Sequence, residues 1–187
     1  STPTARASAG LPGITEIRPG TYVFNDVNQL RVGVATHETC ALTVATTVIG
    51  RPAPDRVVVD AGAKVLALDG MGTPDWINVM GRPDMHPQFL SEEHGVFALE
   101  PGGPSPEIGE QLRLIPCHCC TVINLADTVD NIGTSISDGV GEPKQSMLGD
   151  KVYKTVLDTD PGQLGYPYMA GDWYVSAGLN YAAEDGG

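Results

Sequence analysis

The stretch ALTVATTVIGRPAPDRVVVDAGAKVLALD, residues 41–69, decides the fold class. It consists of short runs of Val, Thr, Ile, Leu and Ala broken by Pro, Gly and Asp. β-branched side chains favour extended backbone, so ALTVATTVIG (41–50) and DRVVVDAG (55–62) read as strands, with RPAPD as the turn signal between them. AKVLALD (63–69) reads as a further strand-like run. Within DAGAK, the small pair Ala61-Gly62 permits close backbone approach, and Lys64 reads as a solvated charge.

The pattern continues outward. GTYVFNDV (20–27), GVFALE (95–100) and QLRLIPCHCCTVINL (111–125) are again short and rich in β-branched residues, and GMGTPD, GRPD and EPGGPSPEIGE punctuate the chain between them. Gly (23) and Pro (15) make about a fifth of the 187 residues, and no segment up to residue 126 keeps a helical period over three turns. A mainly β domain over 36–126 is therefore expected. Residues 1–35 read as a loop, a short strand ending near Pro19-Gly20 and an extended segment. The Gly20-Thr21 backbone either leaves N–H groups facing an anion or forms a plain turn. Beyond residue 127, DNIGTSISDGVGEPKQSMLGD (130–150) reads as loop and KVYKTVLD (151–158) as a strand. The aromatic stretch 165–187 reads as a cap on a core or an interface. No internal repeat is present.

Composition narrows the function classes. At 187 residues and 41% apolar, the chain suffices for one domain, or a domain with an extension. No apolar run approaches about 18 residues, so no membrane-spanning helix is expected. STPTARASAG has no apolar block of the kind a secretory leader carries, and the absence of an initiator Met suits a processed or partial chain. The net charge of −12 repels a phosphate backbone, which argues against nucleic acid, and favours solubility. Three of the four cysteines are nearly adjacent and cannot bridge one another without strain, so a disulfide framework is not expected and a reducing, cytoplasmic setting is.

Those cysteines carry the chemistry. PCHCC (116–120) gathers three of four cysteines and one of four histidines. A strand running through 111–125 would put His118 and Cys120 on one face and Cys117 and Cys119 on the other. Imidazole nitrogen and thiolate sulfur suit a borderline-soft ion. Two ligands do not close a structural site, and positions left for water or substrate mark a catalytic metal. The competing reading is that Cys is simply a small buried hydrophobe. A thiol redox role for Cys117, Cys119 and Cys120 fits less well, because CxxC at a helix start is absent. In LSEEHG, Glu92, Glu93 and His94 offer acid–base groups or a plain surface turn. His37 and His86 have no partner in the sequence.

In order along the chain, STPT, EIRPGTYVFND, ALTVATTVIGRPAPDRVVVDAGAKVLALD, LSEEHG and LIPCHCCTVINL resemble the C-terminal half of the D-serine dehydratase / D-threonine aldolase family, over roughly residues 1–126. The resemblance implies an alanine-racemase-like enzyme in which a pyridoxal-phosphate-binding TIM-type barrel precedes a β-rich C-terminal domain. Residues 1–35 would then be the end of the barrel, 36–126 the β-rich metal-binding domain, and 127–187 a divergent tail that completes the β domain or departs from it. Ser1, Thr2, Gly20, Thr21 and Tyr22 match positions near the cofactor phosphate, which favours the anion reading of Gly20-Thr21 over the plain turn. His118 and Cys120 match the metal pair, with zinc favoured over manganese or magnesium.

By the same resemblance the substrate is a D-3-hydroxy amino acid and the assembly a homodimer. Cys at the second metal position tilts the reaction toward dehydration, with retro-aldol cleavage as the alternative. The Schiff-base lysine belongs to an N-terminal half that these residues do not include. Lys64, Lys144, Lys151 and Lys154 do not match it, so the chain is not competent alone. A longer chain or second polypeptide would supply that half, or the chain is a non-catalytic metal-binding or assembly module.

Overall fold

A computed structural model describes residues 1–126, together with four strands at Asp130–Asn131, Lys144–Leu148, Lys151–Thr155 and Trp173–Ser176. The described part is mostly β, as expected. Strand β1 (Leu42–Ala53) is its spine. β2 (Arg56–Val59) folds back antiparallel on the second half of β1, through the turn that RPAPD signals. β3 (Asn78–Val79), β4 (Met85–Leu90), β5 (Gly95–Leu99) and β6 (Gln111–Ile115) complete the order β3-β6-β1-β2-β5-β4. The end strands β3 and β4 approach each other, so the sheet is nearly closed.

Alternation along these strands builds one core. Val44 and Leu114 are cross-strand partners, as are Val57 and Phe97, and all four are fully buried. Trp76, Leu42, Leu66 and Ile77 fill the remaining interior. Each such side chain contributes on the order of 1.5–3 kcal/mol by leaving water. β4 carries Pro87, which an edge strand tolerates because no ladder bond is lost on its open side.

Two runs that read as strands are not, and a third is a strand only in its first part. After the short helix α1 (Ala5–Ala9), GTYVFNDV becomes a 3-10 turn at Thr21–Val23 and then helix α2 (Val27–Arg31), because Asn25 adopts a left-handed φ of 54° and Asp26 caps the helix start. AKVLALD contains a helical turn, α3 (Ala63–Leu66), whose first N–H groups donate to the carbonyls of Ser91 and Glu92 at 2.7 and 3.0 Å. That docking needs Gly62. A Cβ there would lie 2.4 Å from the Glu92 carbonyl oxygen and 2.5 Å from the His94 nitrogen, which is the close approach expected of the small pair. Lys64 is ion-paired with Glu93 rather than solvated alone. The third misread run is QLRLIPCHCCTVINL. Its strand ends at Ile115, and Cys119–Leu125 form helix α4.

In the 130–150 segment, read as loop, β7 (Asp130–Asn131) and β8 (Lys144–Leu148) are strands. β8 pairs antiparallel with β9 (Lys151–Thr155), the strand expected in KVYKTVLD. In the aromatic stretch, β10 (Trp173–Ser176) runs parallel to β1 over Leu42–Ala45. The proposed capping by its side chains lies outside the described residues. No helix among the described residues is long and apolar enough to cross a membrane.

Candidate metal centre

Pro116 stops the β6 ladder, and the chain turns into α4 at His118, which keeps an extended backbone at the N-cap position (φ −139°, ψ 110°). The in–out alternation of a strand nonetheless survives from 117 to 120. Cys117 and Cys119 are 2% and 1% exposed, His118 is half-buried and Cys120 is exposed. The expected strand face is therefore replaced by a corner, and His118 and Cys120 turn outward because their neighbours turn into the core.

The inward thiols are chemically quiet. Burial pushes the Cys119 thiol up strongly, helped by the adjacent Asp26 carboxylate, and burial likewise raises Cys117. Cys40, buried beside Val27 and Ile115, is pushed up to about 12 by the same desolvation. All four cysteines are free. A reactive dithiol requires depressed, accessible thiols, and these surroundings do the opposite at Cys117 and Cys119.

His118 has a carboxylate neighbour that the sequence pattern did not reveal. Its Nδ1 lies 3.4 Å from Oδ1 of Asp69. Asp69 reaches it because Gly70 (φ +72°) lets the 68–76 loop pass against Cys117, where a Cβ on Gly70 would sit 2.4 Å from Sγ. A carboxylate on one ring nitrogen orients an imidazole so that the other nitrogen faces an ion.

The donor chemistry fits a borderline-soft divalent cation, with one imidazole and one accessible thiol at a solvent-facing corner. Among the described residues no three His, Cys, Asp or Glu side chains are grouped closely enough to hold an ion by themselves. Any ion here would keep open positions.

Of the residues matched to the cofactor phosphate, two stretches come together. The Tyr22 N–H donates to Thr2 Oγ1 at 3.0 Å, which joins the 1–4 turn to the Gly20–Val23 turn. Ser1 Oγ lies 3.1 Å from Thr4 Oγ1. The Tyr22 N–H is thus engaged inside the chain. The space beside Gly20 is open, since a Cβ there meets nothing within 4 Å. Ser1, Thr2 and Thr21 carry hydroxyls, which suit a phosphate in donor type.

Glu92, Glu93 and His94 are exposed in the turn between β4 and β5, where Ser91 N–H donates to the His94 carbonyl at 2.9 Å. They belong to the docking of α3. His86, unassigned from sequence, bridges Asp75 (Nδ1, 2.8 Å) and Glu100 (Nε2, 3.2 Å), and its pKa is raised chiefly by the Asp75 hydrogen bond. His37 lies 3.1 Å from Asn78 Oδ1.

Residues 41–130 match the family described as "Putative serine dehydratase domain". The chain is 34% identical over 145 residues to a D-threonine aldolase of Arthrobacter sp., covering 75% of this chain and 36% of that protein. It is 36% identical over 115 residues to an uncharacterized protein of Mycobacterium bovis, covering 57% of this chain and 84% of that protein. The chain belongs to the D-serine dehydratase / D-threonine aldolase family. Among solved structures, D-threo-3-hydroxyaspartate dehydratase from Delftia sp. HT23 matches with a TM-score of 0.57 and 30% identity, over 67% of this chain and 38% of that one. Variants of the same-named dehydratase match as well. One carries a histidine-to-alanine change, and another a cysteine-to-alanine change two positions further on, in the metal-free form. An alanine-racemase-like protein of Idiomarina loihiensis matches at a TM-score of 0.56 and 26% identity, over 64% of this chain and 35% of that one. The fold is thus shared with part of alanine-racemase-like enzymes. The chain spans about a third of the length of the curated aldolase and dehydratase it matches.

Proposed function

We propose that the chain is the C-terminal part of a pyridoxal-phosphate- and metal-dependent lyase acting on D-3-hydroxy amino acids, with dehydration favoured over retro-aldol cleavage. The observation that carries this reading is the corner at His118 and Cys120, where two metal-ligand types face outward in alternation with two buried cysteines. The spacing of the histidine and cysteine changes in the dehydratase variants supports it, and the metal-free state of the cysteine variant supports a ligand role at the second position.

When bound, pyridoxal phosphate supplies an electron sink for loss of the substrate Cα proton, and a divalent metal, zinc by preference, supplies Lewis acidity toward the β-hydroxyl. This chain's part is to hold and orient. His118 would hold the ion, with Asp69 beside Nδ1 orienting its ring. Cys120 binds through its sulfur, and a soft thiolate favours zinc over magnesium. Ser1, Thr2, Gly20, Thr21 and Tyr22 hold the phosphate end of the cofactor. The barrel half with the Schiff-base lysine comes from a longer chain or a second polypeptide, in a cytoplasmic homodimer.

Cobalt(II) titration tests the metal half of this reading. The wild-type chain is expected to develop thiolate-to-cobalt absorption, and His118→Ala and Cys120→Ala to lose it. A chain that binds neither cobalt nor zinc would overturn the assignment. In the holoenzyme with the lysine-bearing half, D-serine should yield ammonia and a keto acid. Release of glycine from D-threonine, with D-serine left intact, would move the reaction to the aldolase side.

The Mycobacterium bovis relative favours a second reading. The match covers 84% of its length, far more than the 36% of the aldolase. A short chain built around this unit serves as a metal-binding or assembly module without pyridoxal chemistry. The discriminating result is stoichiometric metal in a chain that forms no complex with a barrel partner.

A further inference from the structure

His118 stands at the N-cap of α4, yet its side chain does not cap the helix. The cap comes from Asp26. This carboxylate is fully buried, and its two oxygens serve two helices. Oδ1 accepts from the Gln29 N–H of α2 at 3.1 Å, and Oδ2 accepts from the Cys119 N–H, the first residue of α4, at 3.0 Å. Both helix starts present partial positive charge to it, which makes a buried carboxylate tolerable where no cationic side chain among the described residues pairs with it.

The two residues after Asp26 grip the same segment. Val27 N–H donates to the Pro116 carbonyl at 3.0 Å and Asn28 N–H to the Cys117 carbonyl at 3.3 Å. The Cys117 thiol donates to Asn28 Oδ1 at 3.5 Å. Residues 116, 117 and 119 are each bonded to the run Asp26–Asn28, while His118 between them is left to turn outward toward Asp69. A histidine that capped its own helix would have its ring drawn back onto the backbone.

We infer that Asp26 is a positioning residue for the His118–Cys120 pair, capping α4 in place of His118 and fixing where the helix that carries Cys120 begins. This rests on the metal reading above. Asp26 does not touch the ion. It sets the angle at which the two donors leave the corner.

Asp26→Ser provides the test, because a hydroxyl keeps the cap on α2 while a single oxygen cannot also reach the Cys119 N–H. Asp26→Asn is the conservative companion, retaining shape but offering one acceptor oxygen in place of two. Cobalt(II) is titrated into wild-type and variant chains at a temperature where circular dichroism shows each folded, and zinc affinity follows by competition. Val48→Ala, a cavity in the core away from this corner, serves as the stability control. The expectation is that cobalt binding weakens 10–100-fold in Asp26→Ser, with altered thiolate-to-cobalt absorption. Asp26→Asn is expected to lose less, and Val48→Ala to keep wild-type affinity and spectrum despite a lower Tm. Wild-type affinity and spectrum in Asp26→Ser would overturn the inference alone. An equal loss in Val48→Ala would do the same, by showing that any destabilisation suffices. A wild-type chain that binds no cobalt would remove the metal reading and this inference with it.

Discussion

Nδ1 of His118 lies 3.4 Å from Oδ1 of Asp69, two residues separated by 49 positions and joined only by the fold. This contact leaves Nε2 of the imidazole as the free donor and fixes the ring plane. Asp69→Ala is therefore expected to weaken zinc or cobalt binding about 10–100-fold while leaving the melting temperature nearly unchanged, since both side chains are partly solvated. Metal titration and a thermal melt on the same sample check this. A large drop in Tm with unchanged affinity would assign Asp69 to the fold instead.

Gly70 makes that contact geometrically possible. An alanine there would combine a φ of +72° with a Cβ 2.4 Å from the Cys117 sulfur. Gly70→Ala should cost about 2 kcal/mol or more, from left-handed strain and overpacking together. Urea denaturation measures the loss, and an unchanged midpoint would mean the loop moves aside freely.

Thiol accessibility separates the four cysteines. Under native conditions iodoacetamide is expected to modify Cys120 alone, because Cys40, Cys117 and Cys119 are buried with raised pKa values. Intact mass should show one adduct before denaturation and four after it. Zinc should slow the native reaction if Cys120 is a ligand.

His86 confers a pH dependence of known sign. Its pKa is raised above the ordinary 6.5 by the hydrogen bond to Asp75 and then by that to Glu100, so its stabilising effect is complete below about 6.5 and fades as pH rises through the higher folded value. Asp84, held low by Arg82, lies close enough to feel the same charge. The wild type should lose stability relative to His86→Ala as pH rises above about 6.5. The ring is 38% exposed, so solvent screening keeps the effect small. Parallel urea midpoints for the two proteins would remove the assignment.

The strands β1, β2, β5 and β6 were legible because their β-branched runs are bounded by turn residues. The helix α4 was not. CCTVINL carries Thr, Val and Ile in succession, and the group that turns it into a helix is a carboxylate 93 positions upstream. α3 escaped notice for the same reason, since the carbonyls that receive its first N–H groups belong to a hairpin some 28 residues later. β4 was missed from the other side, because MHPQFL has no β-branched residue and carries a proline that only its edge position permits. For the site, the pair His118 and Cys120 could be picked out from residue type and spacing. Asp69 and Asp26, which would hold that pair in place, left no local trace, because an isolated Asp looks alike in a turn, a cap or a metal's surroundings.

The inward turn of Cys117 and Cys119 has a consequence for how this family diversifies. Anchoring and chemistry are interleaved residue by residue at this corner, so the positions that secure the core are not those that face a ligand. A change at 118 or 120 replaces an outward-facing donor with little harm to folding. The same architecture can thus carry different outward-facing side chains at this corner while its core stays intact.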